Sequence, residues 1–345
     1  NPLKTLPDEV GQWQRLSRLN LSDTQLAALP ETVSGWTALG ELRMDRTPLQ
    51  NLPAGVSGWK SLSVLSLDAA KLSALPADVS GWTELKEFSC SSNQLTTLPA
   101  SVDQWVKLSI CDVSDNSLAG LPNEIGVWIV LQTFDVSRNQ LTSLPAAVEK
   151  LVALLKFNVS GNRLASLPAE IKGLAAIATL DASRNKLTSL PPELGGLSQL
   201  GTLELSNNQL KKLPVEIKGL TNLLMLQVAD NQLDSLPDEI GSCTKLGTLN
   251  LVGNQLTELP STLMTLTDLS SLVVSFNLLT SLPDNIDKLV RLSTLKVAHN
   301  SLTKLPANLS ATHNLTTLDV EHNQLTEIPD LSALSKLIQL NVGQN

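Results

Sequence analysis

The sequence predicts an α/β solenoid, in which each turn contributes one short parallel β-strand to one face and a partly helical return segment to the other. Two observations support this fold class. A 23-residue period runs without a slip from Leu16 to Leu315 and gives fourteen copies. In nearly every copy, an alternation of apolar and polar residues is followed by a polar ladder position and then by Leu-Pro. One copy is too short to bury its apolar side chains, so the copies must stack.

The copy at 131–153 shows the role of each element. Phe134 and Val136 alternate with polar neighbours, which predicts a strand with one buried face. Asn139 stands where the strand ends, and we expect its amide to bond backbone groups of the bend and of the adjacent copy. Pro145 fixes φ and removes a donor where the chain leaves extended structure. Fifteen of the eighteen prolines occupy this position.

Asparagine fills the ladder position in eleven copies. The ladder asparagines are Asn93, Asn116, Asn139, Asn162, Asn185, Asn208, Asn231, Asn254, Asn277, Asn300 and Asn323. The first three copies carry Thr24, Thr47 and Ala70 instead. Because threonine replaces only part of the amide's bonding and alanine none, we expect repeats one to three to exchange their amide hydrogens before repeats six to ten.

All six tryptophans fall in one column, which later copies fill mostly with leucine, as at Leu151. The tryptophans are Trp13, Trp36, Trp59, Trp82, Trp105 and Trp128. Two interpretations are open at this stage. The rings could pack inside the convex layer with each indole N–H on a carbonyl or water, or they could form an exposed aromatic ridge. The recurring Val-Ser-Gly-Trp at 33–36, 56–59 and 79–82 indicates duplication of a block and favours packing.

The period also predicts the domain organisation. A solenoid is not limited to the size of one globular core, so we predict a single domain over residues 1–345. It consists of a partial repeat at 1–15, fourteen repeats at 16–336 and a partial repeat at 337–345. Both ends fall in mid-repeat, at the ladder position, so we expect a fragment of a longer chain. The last full repeat is one residue short, and its return segment at 330–336 should be tightened.

Composition excludes several classes of partner. The net charge of −8, without a basic run, argues against nucleic acid or an anionic membrane. No apolar stretch is long enough to span a bilayer. Cys90, Cys111 and Cys243 fall in core columns and behave in the pattern as small apolar residues. Without clustered cysteines, a reducing, cytoplasmic location is favoured.

The sequence carries no recognisable chemistry. It lacks phosphate-binding glycine loops, H-E-x-x-H and C-x-x-C. His299 and His322 share one position in adjacent repeats, near Asp319 and Glu321, but a metal normally needs three or four converging ligands. We therefore predict that the protein is not an enzyme and has no cofactor, no metal and no small-molecule substrate.

The open face of the strands is the candidate site. Alternate strand positions are polar in nearly every copy, so this concave side must face solvent, where a protein partner could dock. The candidate protein-binding residues are Arg43, Arg46, Asp112, Asp135, Arg138, Asp181, Arg184, Glu204, Val252, Val273, Phe276, Lys296 and His299. They fall into three zones. The first is a mixed Arg/Asp zone in repeats one and two. The second, the acidic centre, consists of Asp112, Asp135, Asp181 and Glu204 with Arg138 and Arg184 beside them, and the third is an apolar zone with histidines from Val252 to His322.

Two of these zones lead to specific hypotheses. The carboxylates of the acidic centre either meet a basic partner surface or pair internally with Arg138 and Arg184. Phe276 is predicted to be exposed and to form an interface hot spot, with Gly253 leaving room for an incoming side chain. Against this, single exposed apolar residues are ordinary on protein surfaces.

The pattern L-x-x-L-x-L-x-x-N-x-L, followed by x-x-L-P and two spaced apolar residues, resembles a leucine-rich repeat over all 345 residues. The 23-residue length and the Leu-Pro pair are similar to the repeats of intracellular Ras-group scaffold proteins and of Roco GTPases. The resemblance implies a curved horseshoe with concave strands, convex helical, 3-10 or irregular segments, and a concave face that binds proteins in intracellular signalling. Two alternatives are the recognition domain of a larger enzyme, such as a Roco-like GTPase or a kinase, and an extracellular adhesion or immune-recognition module.

Overall fold

The computed structural model describes residues 1–345 and contains fifteen strands of three residues each. Its contacts divide the chain into two compact units, one of residues 1–164 with 173–177 and the other of residues 165–172 with 178–345. The predicted parallel solenoid with one strand per repeat is confirmed within each unit. The single domain over 1–345 stays a prediction.

The first unit contains seven strands that pair in chain order. They are β1 (Arg18–Asn20), β2 (Glu41–Arg43), β3 (Val64–Ser66), β4 (Glu87–Ser89), β5 (Ile110–Asp112), β6 (Thr133–Asp135) and β7 (Lys156–Asn158). Each pairs in parallel with the next, and partners lie 23 positions apart, as Leu19 and Leu42 do. Equivalent side chains therefore form columns from repeat to repeat.

The second unit contains eight strands with the same parallel pairing. They are β8 (Thr179–Asp181), β9 (Thr202–Glu204), β10 (Met225–Gln227), β11 (Thr248–Asn250), β12 (Ser271–Val273), β13 (Thr294–Lys296), β14 (Thr317–Asp319) and β15 (Gln339–Asn341). Thr317 pairs with Gln339, a step of 22 residues. The missing residue is absorbed by the return segment at 330–336, which forms two turns and no helix, as expected.

Short 3-10 helices build the return segments. They are η1 (Asp8–Gln12), η2 (Glu31–Gly35), η3 (Ala54–Gly58), η4 (Ala100–Gln104), η5 (Asn123–Val127), η6 (Ala146–Lys150), η7 (Ala169–Gly173), η8 (Pro192–Gly196), η9 (Val215–Gly219), η10 (Asp238–Ser242), η11 (Ser261–Thr265), η12 (Ile286–Lys288) and η13 (Ala307–Ala311). Pro145 shows how they begin: its ψ of 153° is extended, and its carbonyl accepts the Val148 N–H at 3.1 Å. None of the helices has the length and apolar character that crossing a membrane requires.

The columns of the repeat form the core. Leu131, Phe134, Val136 and Leu151 are fully buried, and so are their equivalents in other repeats of each unit. The three cysteines are buried and free, as the pattern indicated. Burial raises the pKa of the Cys243 thiol to about 11, so this side chain stays a neutral, small apolar group.

The tryptophan column lies inside the first unit. Trp36, Trp59, Trp82, Trp105 and Trp128 are fully buried, and neighbouring rings stack with centroids 5.6–6.4 Å apart. Each indole N–H donates to a valine carbonyl of the preceding repeat, as Trp59 Nε1 does to the Val33 oxygen at 2.9 Å. The packed interpretation is confirmed and the exposed ridge is wrong, since only the terminal Trp13, 45% exposed, reaches solvent.

Candidate functional site

The asparagine ladder fixes the point where each strand ends. Asn139 Nδ2 donates to the carbonyls of Val113, Val136 and Ser137 at 2.9–3.1 Å, and its Oδ1 accepts the Leu118 N–H at 2.9 Å. The side chain thus satisfies backbone groups of its own bend and of the preceding repeat, as predicted. It sets the direction in which the chain leaves the open strand face.

The residue immediately before the ladder has a left-handed backbone in every repeat, with φ between 50° and 67°. We call this the left-handed position. Its occupants are Asp23, Arg46, Ala69, Ser92, Asp115, Arg138, Gly161, Arg184, Asn207, Asp230, Gly253, Phe276, His299 and His322. Arginine, phenylalanine and histidine rarely adopt this conformation, and here the ladder bonds beside it hold the backbone in place. Gly253 shares this backbone, with φ of 67°, and the suggestion that it leaves room for an incoming side chain stays a prediction.

The arginines of the first zone are engaged with carboxylates. Arg43 Nε donates to Glu41 Oε1 at 2.7 Å. Arg46 holds both carboxylate oxygens of Asp23, through Nε and Nη2, at 2.6 Å each. The Arg46 guanidinium lowers the pKa of the Asp23 carboxyl. The first zone is therefore a set of exposed ion pairs, with Arg43 and Arg46 still open to solvent.

In the first unit, Asp112 and Asp135 are cross-strand neighbours on β5 and β6 and are only half exposed. Asp112 Oδ1 accepts the Ser114 N–H and Oγ–H at 2.9 and 2.7 Å. Burial and then the nearby charge of Asp135 raise the pKa of the Asp112 carboxyl. Arg138 pairs bidentately with Asp115 at 2.5 Å, and not with Asp112 or Asp135 as the internal-pairing alternative supposed.

In the second unit, Asp181 and Glu204 are cross-strand neighbours on β8 and β9. Asp181 Oδ1 accepts the Ser183 N–H at 2.9 Å. Burial, followed by the charge of Asp181, raises the pKa of the Glu204 carboxyl. Arg184 is exposed and forms no ion pair. The structure thus places two acidic pairs on open strand faces, and a role for the acidic centre as one surface stays a prediction.

An aromatic stack dominates the C-terminal zone. Phe276 is 54% exposed, as predicted, and it stacks on His299 with ring centroids 4.1 Å apart and planes 13° apart. His299 stacks in turn on His322 at 4.1 Å and 17°. The structure contains no cluster of three or more potential metal ligands at this stack or elsewhere. Two flat imidazoles therefore extend the exposed surface that begins at Phe276.

The remaining predicted residues of this zone lie beside the stack. Val252, Val273 and Lys296 are half-buried, and Val273 pairs in register with Asn250 on one side and Lys296 on the other. The structure therefore brings Val273, Phe276, Lys296 and His299 together on one patch of strands β12 and β13.

Sequence reasoning missed an apolar patch in the first unit. Val106, Ile129 and Val152 occupy the same position in consecutive repeats and are 49%, 54% and 50% exposed. The signal was available, because most other repeats carry a small or polar residue there, such as Thr221 or Thr244. This exposed apolar row lies in the turns that join a 3-10 helix to the next strand, and it adds a second candidate surface.

Comparison with known proteins identifies the family. A sequence profile described as leucine rich repeat matches residues 176–233 and 198–256, and a second profile of the same description matches 314–334. The structure is similar to that of a leucine-rich-repeat protein of Leptospira interrogans, with 33% identity, 99% of this chain and 88% of that chain covered, and a TM-score of 0.90. The chain belongs to the leucine-rich-repeat proteins.

Two further leucine-rich-repeat structures are similar over 99% of this chain. YopM from Yersinia enterocolitica is 29% identical, has 67% of its chain covered and gives a TM-score of 0.72. A plant peptide hormone receptor, RGFR1, is 26% identical, has 65% of its chain covered and gives a TM-score of 0.75; its structure is a complex with RGF2. No curated protein sequence matches the chain significantly. This leucine-rich-repeat protein therefore has the architecture of a recognition scaffold.

Proposed function

We propose that this leucine-rich-repeat protein is a non-catalytic scaffold that binds a protein partner through the open face of its strands. One observation carries the proposal: in each unit this face presents polar, charged or aromatic side chains that change from repeat to repeat, while the columns behind them stay apolar. A surface that varies on a constant frame suits recognition. The plant receptor RGFR1, which is similar in structure, is seen in complex with RGF2.

The test compares substitutions on two faces of the second unit. Asp181→Lys and Phe276→Ala alter the open strand face, and Glu239→Lys alters the 3-10 helix η10 on the other side. Binding of a captured and then purified partner should weaken with the first two variants and stay unchanged with the third, as measured by calorimetry. Circular dichroism checks that each variant is folded. A partner that responds only to Glu239→Lys would place recognition on the return segments and overturn the proposal.

For the setting, we propose intracellular signalling in a reducing compartment. The support is that Cys90, Cys111 and Cys243 form no disulfide, whereas disulfides are typical of proteins in oxidising compartments. An extracellular recognition role is the competing proposal, favoured by the likeness to the receptor RGFR1. Fractionation of source cells separates the two: recovery with the cytosolic fraction supports the first proposal, and recovery from the medium or the cell surface supports the second.

A further inference from the structure

Three consecutive left-handed positions of the second unit hold an unusual series: Asp230, Gly253 and Phe276. They lie one repeat apart, at a strand spacing of about 4.8 Å. The series combines a carboxylate, a position without a side chain and an exposed aromatic ring. The equivalent positions elsewhere in the chain show what such a carboxylate binds.

The first unit shows twice how an aspartate at the left-handed position is satisfied. Asp23 is followed one repeat later by Arg46, and Asp115 by Arg138. In both pairs the guanidinium reaches back one repeat and holds both carboxylate oxygens, at 2.6 Å in the first pair and 2.5 Å in the second. An aspartate at this position therefore holds a guanidinium that the next repeat supplies.

Asp230 has no such partner in its own chain. The next repeat supplies Gly253, and Asp230 is exposed and takes part in no ion pair. Its carboxylate nevertheless points over the next repeat, because a Cβ placed on Gly253 would lie 2.5 Å from Asp230 Oδ1. The carboxylate thus lies where a side chain of the next repeat would begin, while the guanidinium of the two paired examples is missing.

Phe276 borders the same space from the other side. One face of its ring is covered by His299 at 4.1 Å, so its other face is turned toward the repeat of Gly253. The ring is 54% exposed. At one strand spacing, a flat group above Gly253 would lie within the roughly 6 Å at which a cation is attracted to an aromatic face. The strand residues beside this space, Asn250 and Val273, are uncharged, and the cation Lys296 lies one strand further on, beyond Val273.

We propose that Asp230, Gly253 and Phe276 form a slot for an arginine side chain of the partner protein. The guanidinium would take both oxygens of Asp230 and stack on the free face of Phe276. Arginine fits better than lysine, because its planar fork matches a carboxylate and stacks on a ring, whereas an ammonium does neither. The inference rests on the proposed function, since the partner is taken to dock on the open strand face, and it adds the chemistry of one contact.

The slot can be tested without the partner. The probe is N-acetyl-arginine N-methylamide, added to the deuterated, ¹⁵N-labelled chain, and the readout is the chemical shift of the Gly253 and Phe276 amides. We expect saturable shifts at these amides, and binding weaker by about tenfold or more for the lysine analogue, since the bidentate and stacked contacts are lost. Equal binding of both probes, or shifts spread over all exposed carboxylates, would overturn the slot.

Three variants sharpen the test. Asp230→Asn and Phe276→Leu should each weaken arginine binding about fivefold or more, because each removes one wall of the slot. Gly253→Arg should abolish it, because the new side chain occupies the slot as Arg46 occupies the space beside Asp23; three arginines already adopt this backbone, at φ of 51–53°. Glu239→Gln, on η10, is the matched control and should change nothing.

The slot and the proposed scaffold fail in different ways. If the arginine probe binds as expected but no protein docks on the open strand face, the slot stands and the scaffold function fails. If a purified partner binds the wild-type chain and Asp230→Asn equally well, and Asp181→Lys weakens it, the scaffold function stands and the slot is wrong.

Discussion

Repeats one to three, at 16–84 in the first unit, and repeats nine to eleven, at 200–268 in the second, share one period but are held by different side chains. In the later group Asn231 Nδ2 donates to the Leu205 carbonyl at 3.0 Å. In the early group the strand side has only threonine or alanine at this place, and Trp59 Nε1 on the opposite side donates to the Val33 carbonyl at 2.9 Å. Each of these bonds reaches back 26 residues.

The fold therefore accepts different side-chain donors between repeats, as long as one is present. An amide on the strand side and an indole on the return side perform the same task, which is to pair a buried carbonyl of the preceding repeat. The indole adds stacking on both of its neighbours. The substitution nevertheless leaves the strand side incompletely bonded.

The early repeats show the consequence of the missing amide. Thr47 Oγ1 bonds the Leu21 carbonyl at 2.8 Å, but Ala70 bonds nothing through its side chain. The turns that follow are irregular: Gln50 and Lys71 adopt φ of 59° and 63°, values that cost free energy for residues other than glycine. The expected early exchange of amide hydrogens in repeats one to three stays a prediction, and these turns are where it should begin.

The largest effect is expected from Trp59→Leu, which gives an early repeat the residue that most later repeats use. We expect a loss of about 3 kcal/mol in the free energy of unfolding, from the cavity and the orphaned Val33 carbonyl. Urea unfolding followed by far-ultraviolet circular dichroism measures it. Trp13→Leu is the matched control at the exposed end of the stack and should cost far less. Equal costs would show that stacking and the indole bond contribute little.

The next largest effect is expected from Asn231→Ala. The amide donates to the Leu205, Val228 and Ala229 carbonyls at 3.0–3.2 Å and accepts the Leu210 N–H at 3.0 Å. Leaving these buried groups unpaired should lower the free energy of unfolding by about 2 kcal/mol in urea. Asn123→Ala, at an exposed position of η5, serves as control. A loss no larger than that of the control would mean that the ladder is dispensable.

A gain is expected from Ala70→Asn, which restores the ladder in repeat three. The new amide would bond carbonyls 23 residues before those that Asn93 bonds. We expect the free energy of unfolding to rise by about 1 kcal/mol. The Leu49 amide should also exchange more slowly. Ala119→Asn, at an exposed site, is the control and shows whether an alanine-to-asparagine change alters the free energy of unfolding without the ladder bonds. A destabilised Ala70→Asn would indicate that the early turns have no room for the side chain.

The smallest expected changes are shifts of the melting temperature on neutralising Asp112 or Asp23, and the two shifts have opposite signs. The pKa of Asp112 is raised by burial, so its contribution to stability is present at low pH and is lost as pH rises through the folded pKa. Asp112→Asn should therefore raise the melting temperature at pH 7. The pKa of Asp23 is lowered by Arg46, so its contribution is present above the unfolded pKa and is lost as pH falls.

Asp23→Asn should consequently lower the melting temperature slightly at pH 7, since the pair is exposed. Calorimetry at pH 7 and pH 3 checks both carboxylates, and each variant should approach the wild type at the lower pH. Shifts of the same sign for Asp112→Asn and Asp23→Asn would show that the loss of negative charge as such, and not the local surroundings, governs stability.

Much of the fold was predictable because its causes repeat. The Asn139 ladder, the buried column of Leu151 and the extended Pro145 follow from one 23-residue pattern, since every copy must satisfy the same backbone groups. Burial of the tryptophans was predictable, because they occupy a column that is apolar in most other repeats. Stacking of the rings alone would not have been enough, since the rings of an exposed ridge could stack as well. These are properties of the frame, and the sequence repeats them in most of its fourteen copies.

The candidate site was less predictable, because its properties are not repeated. Gly161 and Gly253 hinted at a left-handed backbone, but Phe276 at the same position obscured the signal. The pair of Arg138 with Asp115 could have been found by searching for opposite charges 23 residues apart. The ring orientation that joins His299 to Phe276 depends on side-chain rotamers, which a spacing does not reveal.

The tryptophan stack makes one part of the chain spectroscopically distinct. All six indoles belong to the first unit, and the chain has no tyrosine. Intrinsic fluorescence therefore reports on residues 1–164 and is silent about the second unit. The parallel rings, 5.6–6.4 Å apart, should also couple their electronic transitions and give an intense near-ultraviolet dichroism that vanishes as the stack opens. Compared with far-ultraviolet dichroism of the whole chain, this signal shows whether the solenoid comes apart in one step or from one end.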